Sequence, residues 1–301
     1  MTQEWEERFA TWAQPPSFTS REKANRAESA VRAAVSASAA LGVHNVSVFP
    51  QGSYRNRTNV RRDSDVDICV LTDEMCFFDI RSGKQPAEYG ITVPGPYPYS
   101  PFKNDVGAAL GDYIGWGSVS RGDKAFDIHE NTYRIDADVI PCFEYRWYPE
   151  EDGCVYGTAF VPDSGGGFIH NFPQQNYENG VSKNDATGRR FKAVVRVLKT
   201  LCYEMQAAGI AEAKPIPSYL IECLAWNVSN DYFTLDSLTE AVAAVVADIW
   251  NRTGKAFVYS DWFEINGIKF LFHGAQSWTQ AQANAFIFAA WNYVGLNDQS
   301  K

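Results

Sequence analysis

The chain has 301 residues, enough for two domains or one large one with a substantial core. Hydrophobic residues make up 45% and charged residues 21%, the balance of a globular protein, and aromatics are rich at 14%. The net charge of −9 argues against gripping a long phosphate backbone, which usually calls for a basic face. It leaves room for small anions offset by a metal or a few local cations.

No run of about 18 apolar residues appears, so no membrane span is expected. The opening "MTQEWEERFA" is acidic and aromatic and lacks the basic-then-apolar pattern of a signal peptide, which points to a cytoplasmic protein. Six cysteines form no C-x-x-C pair, and Cys69, Cys142 and Cys202 sit in apolar runs, as buried free thiols do in a reducing compartment. The four histidines are scattered, which argues against a His-based metal site or a Cys–His nucleophile.

Residues 19–41 read as a helix, opened by a Thr19/Glu22 capping box and stopped at Gly42. Residues 45–49 read as a short strand. "DVDICVL" (65–71) alternates acid and apolar, then becomes wholly apolar, as in a strand that begins at a rim and ends in a core. Residues 82–101, rich in Gly, Pro and Tyr, read as an irregular loop. "KNDVGAALGDYIG" follows as a helix, and "AFDIHE" and "TYRIDADVIPCFEYRWY" as two strands of a meander. "DSGGG" (163–167) reads as a flexible loop or hinge, and residues 170–180 as an ordinary interlobe loop or, alternatively, as amides and aromatics lining an acceptor pocket. Beyond about residue 180 the pattern turns helical, with helices over 186–209, from Pro217, ahead of Gly254 and ahead of Gly295. The expected fold is α+β and two-lobed. A mixed-sheet catalytic core with N-terminal helices would span 1–180, and a helical lobe closing the cleft would span 181–301.

"QGSYRNRTNVRRDSDVDICVL" concentrates the chemistry. Gly52 lets the backbone approach a bulky anion, and the Ser53 hydroxyl can donate to a phosphate oxygen. Asp65 and Asp67, two apart on a strand, would share one face. Two carboxylates at 4 Å repel by roughly 4 kcal/mol at an effective dielectric of 20. A divalent cation removes that cost, and oxygen-only ligands near phosphates suit Mg²⁺ or Mn²⁺. "RIDADVIPCF" supplies further acids, Asp136 and Asp138, on one face of another strand, and a third carboxylate is what a two-metal site needs. The bland alternative is a salt-bridged strand end with Arg61 or Arg62. The arginines at 55, 57, 61 and 62 otherwise read as a solvated loop face.

Gly-Ser, an eleven-residue gap, Asp-x-Asp and a later Asp before "VIP" together resemble the polymerase-beta-like nucleotidyltransferases. "KTLCYE…IPSYLIECL" is similar to the cGAS/DncV-like branch, and the likeness covers about residues 15–295. The resemblance implies that Asp65, Asp67 and Asp138 hold two Mg²⁺ or Mn²⁺ ions, with Asp138 helping to deprotonate the attacking hydroxyl. It implies that Gly52 and Ser53 hold a triphosphate, that Lys199 and Ser218 contact phosphate from the helical lobe, and that Tyr219 stacks on the base. Lys192, two turns before Lys199, is a weaker candidate. The implied reaction joins nucleoside triphosphates, ATP among them, into a cyclic di- or trinucleotide used in antiphage (CBASS) signalling, and it admits a regulatory protein partner. No zinc-ribbon cluster or basic DNA platform is present in the sequence. A rival keeps the fold and modifies RNA, protein or a small molecule, although −9 does not favour an RNA track. A catalytically inactive nucleotide-binding scaffold is disfavoured by the complete acid triad.

Overall fold

The computed structural model describes residues 3–60, 65–81, 83–92, 95, 97–132, 134–150, 153–255, 261–274 and 276–296. The chain divides into two compact units, one of residues 17–55 and 64–173, the other of 1–16, 56–63 and 174–301. The single cut expected at residue 180 is therefore replaced by several crossings. Helix α1 (Gln3–Trp12) groups with the helical unit although it comes first in sequence.

In the sheet unit, α2 (Phe18–Ala37) is capped by Ser17, whose hydroxyl accepts from Ser20 N at 3.2 Å. This replaces the Thr19/Glu22 box, and the helix ends at Ala37 rather than at 41, where Ser38 takes an extended conformation. Strand β1 (Val46–Pro50) leads into a single helical turn, α3 (Gly52–Asn56). Strand β2 (Val66–Ile80) runs well past the apolar stretch that marked it, with a register shift between Thr72 and Cys76. Helix α4 (Tyr99–Ile114) begins inside the stretch expected to be loop, which also holds a 3-10 turn at Pro86–Tyr89. Strands β3 (Val119–Arg121), β4 (Phe126–Ile128), β5 (Ala137–Tyr148), β6 (Val155–Phe160) and β7 (Ile169–Asn171) complete the sheet.

The path is β1-β2-β5-β4-β3, with β2 and β5 parallel and the remaining pairs antiparallel. β5 is the hub. One edge pairs with β2, while the other pairs first with β4 and then with β6. Alternation sorts the side chains. Val66, Ile68 and Val70 of β2, Val139 of β5, and Phe126 and Ile128 of β4 pack with Ala27, Val31, Phe102 and Leu110 of α2 and α4. Cys69, Cys142 and Ile140 form a smaller cluster on the opposite face. Asp67, Asp138 and Asp127 fall on that second face, away from the helices. The 163–167 segment is a loop anchored at its first residue. Its Asp163 is gripped by Arg121 and by the buried Lys103, the latter at 3.0 Å.

The helical unit comprises α1, α5 (Pro173–Ala186), α6 (Arg190–Ala207), α7 (Ser218–Trp226), α8 (Leu238–Thr253) and α9 (Gln280–Val294). Residues 170–180, expected as loop, form β7 and the first half of α5, because a proline at the first helical position costs nothing there. Capping boxes at Ser237/Glu240 and Thr279/Gln282 start α8 and α9. Arg196 on α6 donates to Ala13 O and Arg57 O, pinning both early segments to the helices. Burial holds Arg196 below the usual guanidinium range, at about 10. Among the described residues, no helix is long and apolar enough to cross a membrane.

Candidate active site

In the sheet unit, the main chain sets the site before any side chain does. Gln51 N donates to Asp67 O at 2.8 Å, and Val66 N donates to Asp136 O at 3.0 Å. These bonds bring the Gly52 turn against β2 and fix the β2–β5 register, in which Asp67 stands opposite Asp138. Asp65 lies one residue before the strand and is exposed. Gly52 has φ +65°, and a Cβ there would collide with Asp67 Oδ2. Glycine is thus required both by conformation and by how closely the turn approaches the carboxylate. Ser53 follows, half-buried, on α3.

One acid was missed in the sequence. Asp127 on β4 is the register partner of Asp138 from the other side. Asp138 is pushed up from 3.8 to about 6, first by burial, then by the charges of Asp127 and Asp65, a hydrogen bond with Asp127, and the charge of Asp136. Asp136 gains a structural role, since its Oδ1 accepts from Glu130 N at 2.6 Å and holds the turn entering β5. Asp127 could be found only by its position in an apolar triplet, "FDI", whose neighbours face the core.

This carboxylate crowding is unfavourable in a protein alone and fits a divalent cation, as does the oxygen-only donor set. Among the described residues, no three His, Cys, Asp or Glu side chains are already gathered as a metal cage. Asp127, Asp65 and Asp136 are close enough that each raises the proton affinity of Asp138. Of the arginines in the alternative salt-bridge reading, Arg61 and Arg62 lie outside the described residues. Arg55 stacks on Phe49, and Arg57 is exposed with φ 56°.

Among the candidate residues of the helical unit, both lysines are buried. Lys199 is 0% exposed, and its Nζ pairs with Glu222 Oε1 at 2.6 Å. Thr58 Oγ1 donates to the same oxygen at 2.8 Å. Lys192 is 8% exposed, with Nζ 5.8 Å from the Tyr177 ring centroid. Its ammonium is held below the usual lysine range by burial and by Arg57 and Arg196, against the pull of Glu222 and Asp185. Ser218 Oγ is 2.9 Å from Tyr203 Oη. The Tyr219 hydroxyl donates toward Asn176 Oδ1 and Glu264 Oε2, each at 3.1 Å.

A mixed sheet whose neighbouring parallel strands each carry an aspartate at the second residue, entered through a Gly-Ser turn, is the architecture of a nucleotidyltransferase. Residues 178–295 match the family model of the cGAS/DncV-like nucleotidyltransferase C-terminal helical domain. The chain is 44% identical over 310 residues to a cyclic dipyrimidine nucleotide synthase CdnE of Legionella pneumophila, covering 99% of this chain and 100% of the relative. It is 37% identical over 293 residues to one of Cecembia lonarensis, covering 96% and 98%. Among solved structures, a Rhodothermus marinus CdnE c-UMP-AMP synthase with Apcpp and Upnpp superposes with TM-score 0.84 at 29% identity, covering 98% of each chain. An Elizabethkingia meningoseptica CdnE cyclic dinucleotide synthase with GTP and Apcpp superposes with TM-score 0.79 at 31% identity, covering 96% and 98%. The chain belongs to the cGAS/DncV-like nucleotidyltransferases, enzymes that make cyclic oligonucleotide messengers.

Proposed function

We propose that this enzyme condenses two nucleoside triphosphates, at least one of them a pyrimidine nucleotide, into a cyclic dinucleotide. The observation that carries the chemistry is the register that sets Asp67 opposite Asp138, with Asp127 beyond it. The base choice is supported by the relatives at 44% and 37% identity, both named as cyclic dipyrimidine nucleotide synthases.

In this reading a ribose hydroxyl of one nucleotide attacks the α-phosphate of another and pyrophosphate leaves. A second round on the turned-around linear product closes the ring. Asp65, Asp67 and Asp138 hold two Mg²⁺ or Mn²⁺ ions. When bound, the ions polarise the α-phosphate and lower the pKa of the attacking hydroxyl. Asp138, ionised beside the ions, helps accept the proton the hydroxyl loses. The N–H groups of the Gly52–Ser53 turn and the Ser53 hydroxyl hold the triphosphate. Lys192 and Ser218 supply phosphate contacts and Tyr219 a platform for a base, whereas Lys199, enclosed on Glu222, would have to leave that pair to join them. Positioning and electrostatics do most of the work, because the protein forms no covalent intermediate. We place the enzyme in the cytoplasm, in antiphage signalling.

The test is incubation with labelled ATP, GTP, CTP and UTP and Mg²⁺, phosphatase treatment, and mass spectrometry. A phosphatase-resistant product with the mass of a pyrimidine-containing cyclic dinucleotide is expected. A purine-only ring would overturn the base assignment. Label appearing only on added RNA or protein would overturn cyclisation.

A further inference from the structure

Glu264 is 4% exposed, and a buried carboxylate is costly unless donors converge on it. They do. Oε2 accepts from Tyr219 Oη at 3.1 Å and from Asn266 Nδ2 at 2.8 Å. Oε1 accepts from Gln276 Nε2 at 2.7 Å and stands 3.7 Å from Lys269 Nζ. The backbone is built to present this group. Glu264 N donates to Lys269 O and Gly267 N to Glu264 O, closing a tight hairpin. Asn266 Oδ1 caps the hairpin by accepting from Ile268 N and Lys269 N. Asn227 at the end of α7 holds Phe263 in both directions, and Asn179 of α5 donates to Ile265 O.

We infer that Glu264 is a positioning residue, fixing the Tyr219 phenol so that its ring is held ready for a nucleobase. This rests on the reading of Tyr219 as a base platform. Tyr219 has one hydroxyl proton and two acceptors at equal distance. The carboxylate is the stronger acceptor, so the proton goes to Glu264. An Asn176 amide turned about its axis then donates Nδ2 to the phenol oxygen, giving a directed chain Asn176→Tyr219→Glu264. Trp278, its indole N–H fixed on Leu271 O at 2.9 Å, stands edge-on with its centroid 6.5 Å from that of Tyr219. Ring tilt and hydroxyl direction are thus both set. An apolar pair would pack this site without desolvating a charge, so stability alone gives no reason for the carboxylate.

The experiment measures binding of non-hydrolysable ATP and UTP analogues to the full chain with Mg²⁺, for Glu264→Gln, Tyr219→Phe and the double variant, with melting curves as a folding control. Each single variant is expected to weaken binding of an analogue roughly tenfold, the scale of one hydrogen bond to a charged group. The double variant is expected to be no weaker than either single, because both act through one bond. In turnover, KM rises while kcat holds. Additive losses, or a folded Glu264→Gln that binds as wild type, would overturn the inference. Should Glu264→Gln not fold, Gln276→Leu, on a half-exposed loop, removes one of the donors that orient Glu264. It is expected to weaken binding about threefold, and to have no effect in a Tyr219→Phe background. Unchanged binding in Gln276→Leu would count against Glu264. Unchanged binding in a folded Tyr219→Ala would instead remove the platform reading itself.

Discussion

Asp67 on β2 and Asp138 on β5 face each other across the parallel pair of strands at the centre of the sheet, and Asp127 on β4 faces Asp138 from the far side. Three carboxylates on three consecutive strands, on the face turned from the packed helices, make a region that stability alone would not select. Replacing Asp67 or Asp138 by Asn is expected to reduce cyclic product on the order of a thousandfold, since several kcal/mol of charge stabilisation is lost. The fold should survive, with melting temperatures at or above that of the metal-free wild type. Product assays beside thermal melts check both halves.

Asp138 also fixes a pH dependence. The folded chain keeps its proton up to about 6, while the unfolded chain releases it near 3.8. Between those values the native state binds more protons, so its stability falls as pH rises through the window and levels off above it. Wild type and Asp138→Asn, both metal-free, should therefore differ in urea stability by an amount that grows from about pH 4 to pH 6 and is flat beyond. A difference that shrinks over that window would contradict the assignment. Mg²⁺ favours the charged form, so its binding near pH 6 should release protons, measurable in buffers of different ionisation enthalpy.

Gly52 carries a sharper steric prediction. Ala there must adopt φ +65° and displace the Asp67 carboxylate. Gly52→Ala is expected to cost about 1 kcal/mol or more in stability and to reduce activity at least as much as a direct change at Asp67. Gly117→Ala, where a Cβ meets nothing within 4 Å and the backbone is not left-handed, should leave activity intact. Parallel turnover assays decide.

The buried pair Lys199–Glu222 separates folding from phosphate contact. Removing one partner leaves a charge stranded and should cost about 3–5 kcal/mol, whereas Lys199→Met with Glu222→Leu should recover most of it. If Lys199 also touches phosphate, the double variant folds but binds nucleotide triphosphate weakly. Wild-type affinity in that variant would confine Lys199 to a structural role.

The parts legible in the sequence are those that local chemistry dictates. The helices that end ahead of Gly254 and Gly295 were read from local pattern and end signals, which need no tertiary partner. The Gly52–Ser53 turn and the acids at 65, 67 and 138 stand out because charges break otherwise apolar strands. Asp127 did not stand out, because a three-residue strand is too short to show alternation and its importance comes from long-range register. Helix α5 was hidden by Pro, Asn and Gly in "NFPQQNYENG", where the proline at its first position reads as a break. Lys199 illustrates the remaining gap. On an amphipathic helix a lysine reads as solvated, and only Glu222, 23 residues on in the chain, reveals that it is enclosed.

The most direct measurement is diffraction from crystals soaked with Mn²⁺ and a non-hydrolysable nucleoside triphosphate, with manganese located by its anomalous signal. The account predicts two manganese peaks, ligated by the carboxylates of Asp65, Asp67 and Asp138, with the triphosphate on the Gly52–Ser53 turn. Peaks elsewhere, or a nucleotide bound with none of these carboxylates at the metal, would contradict it.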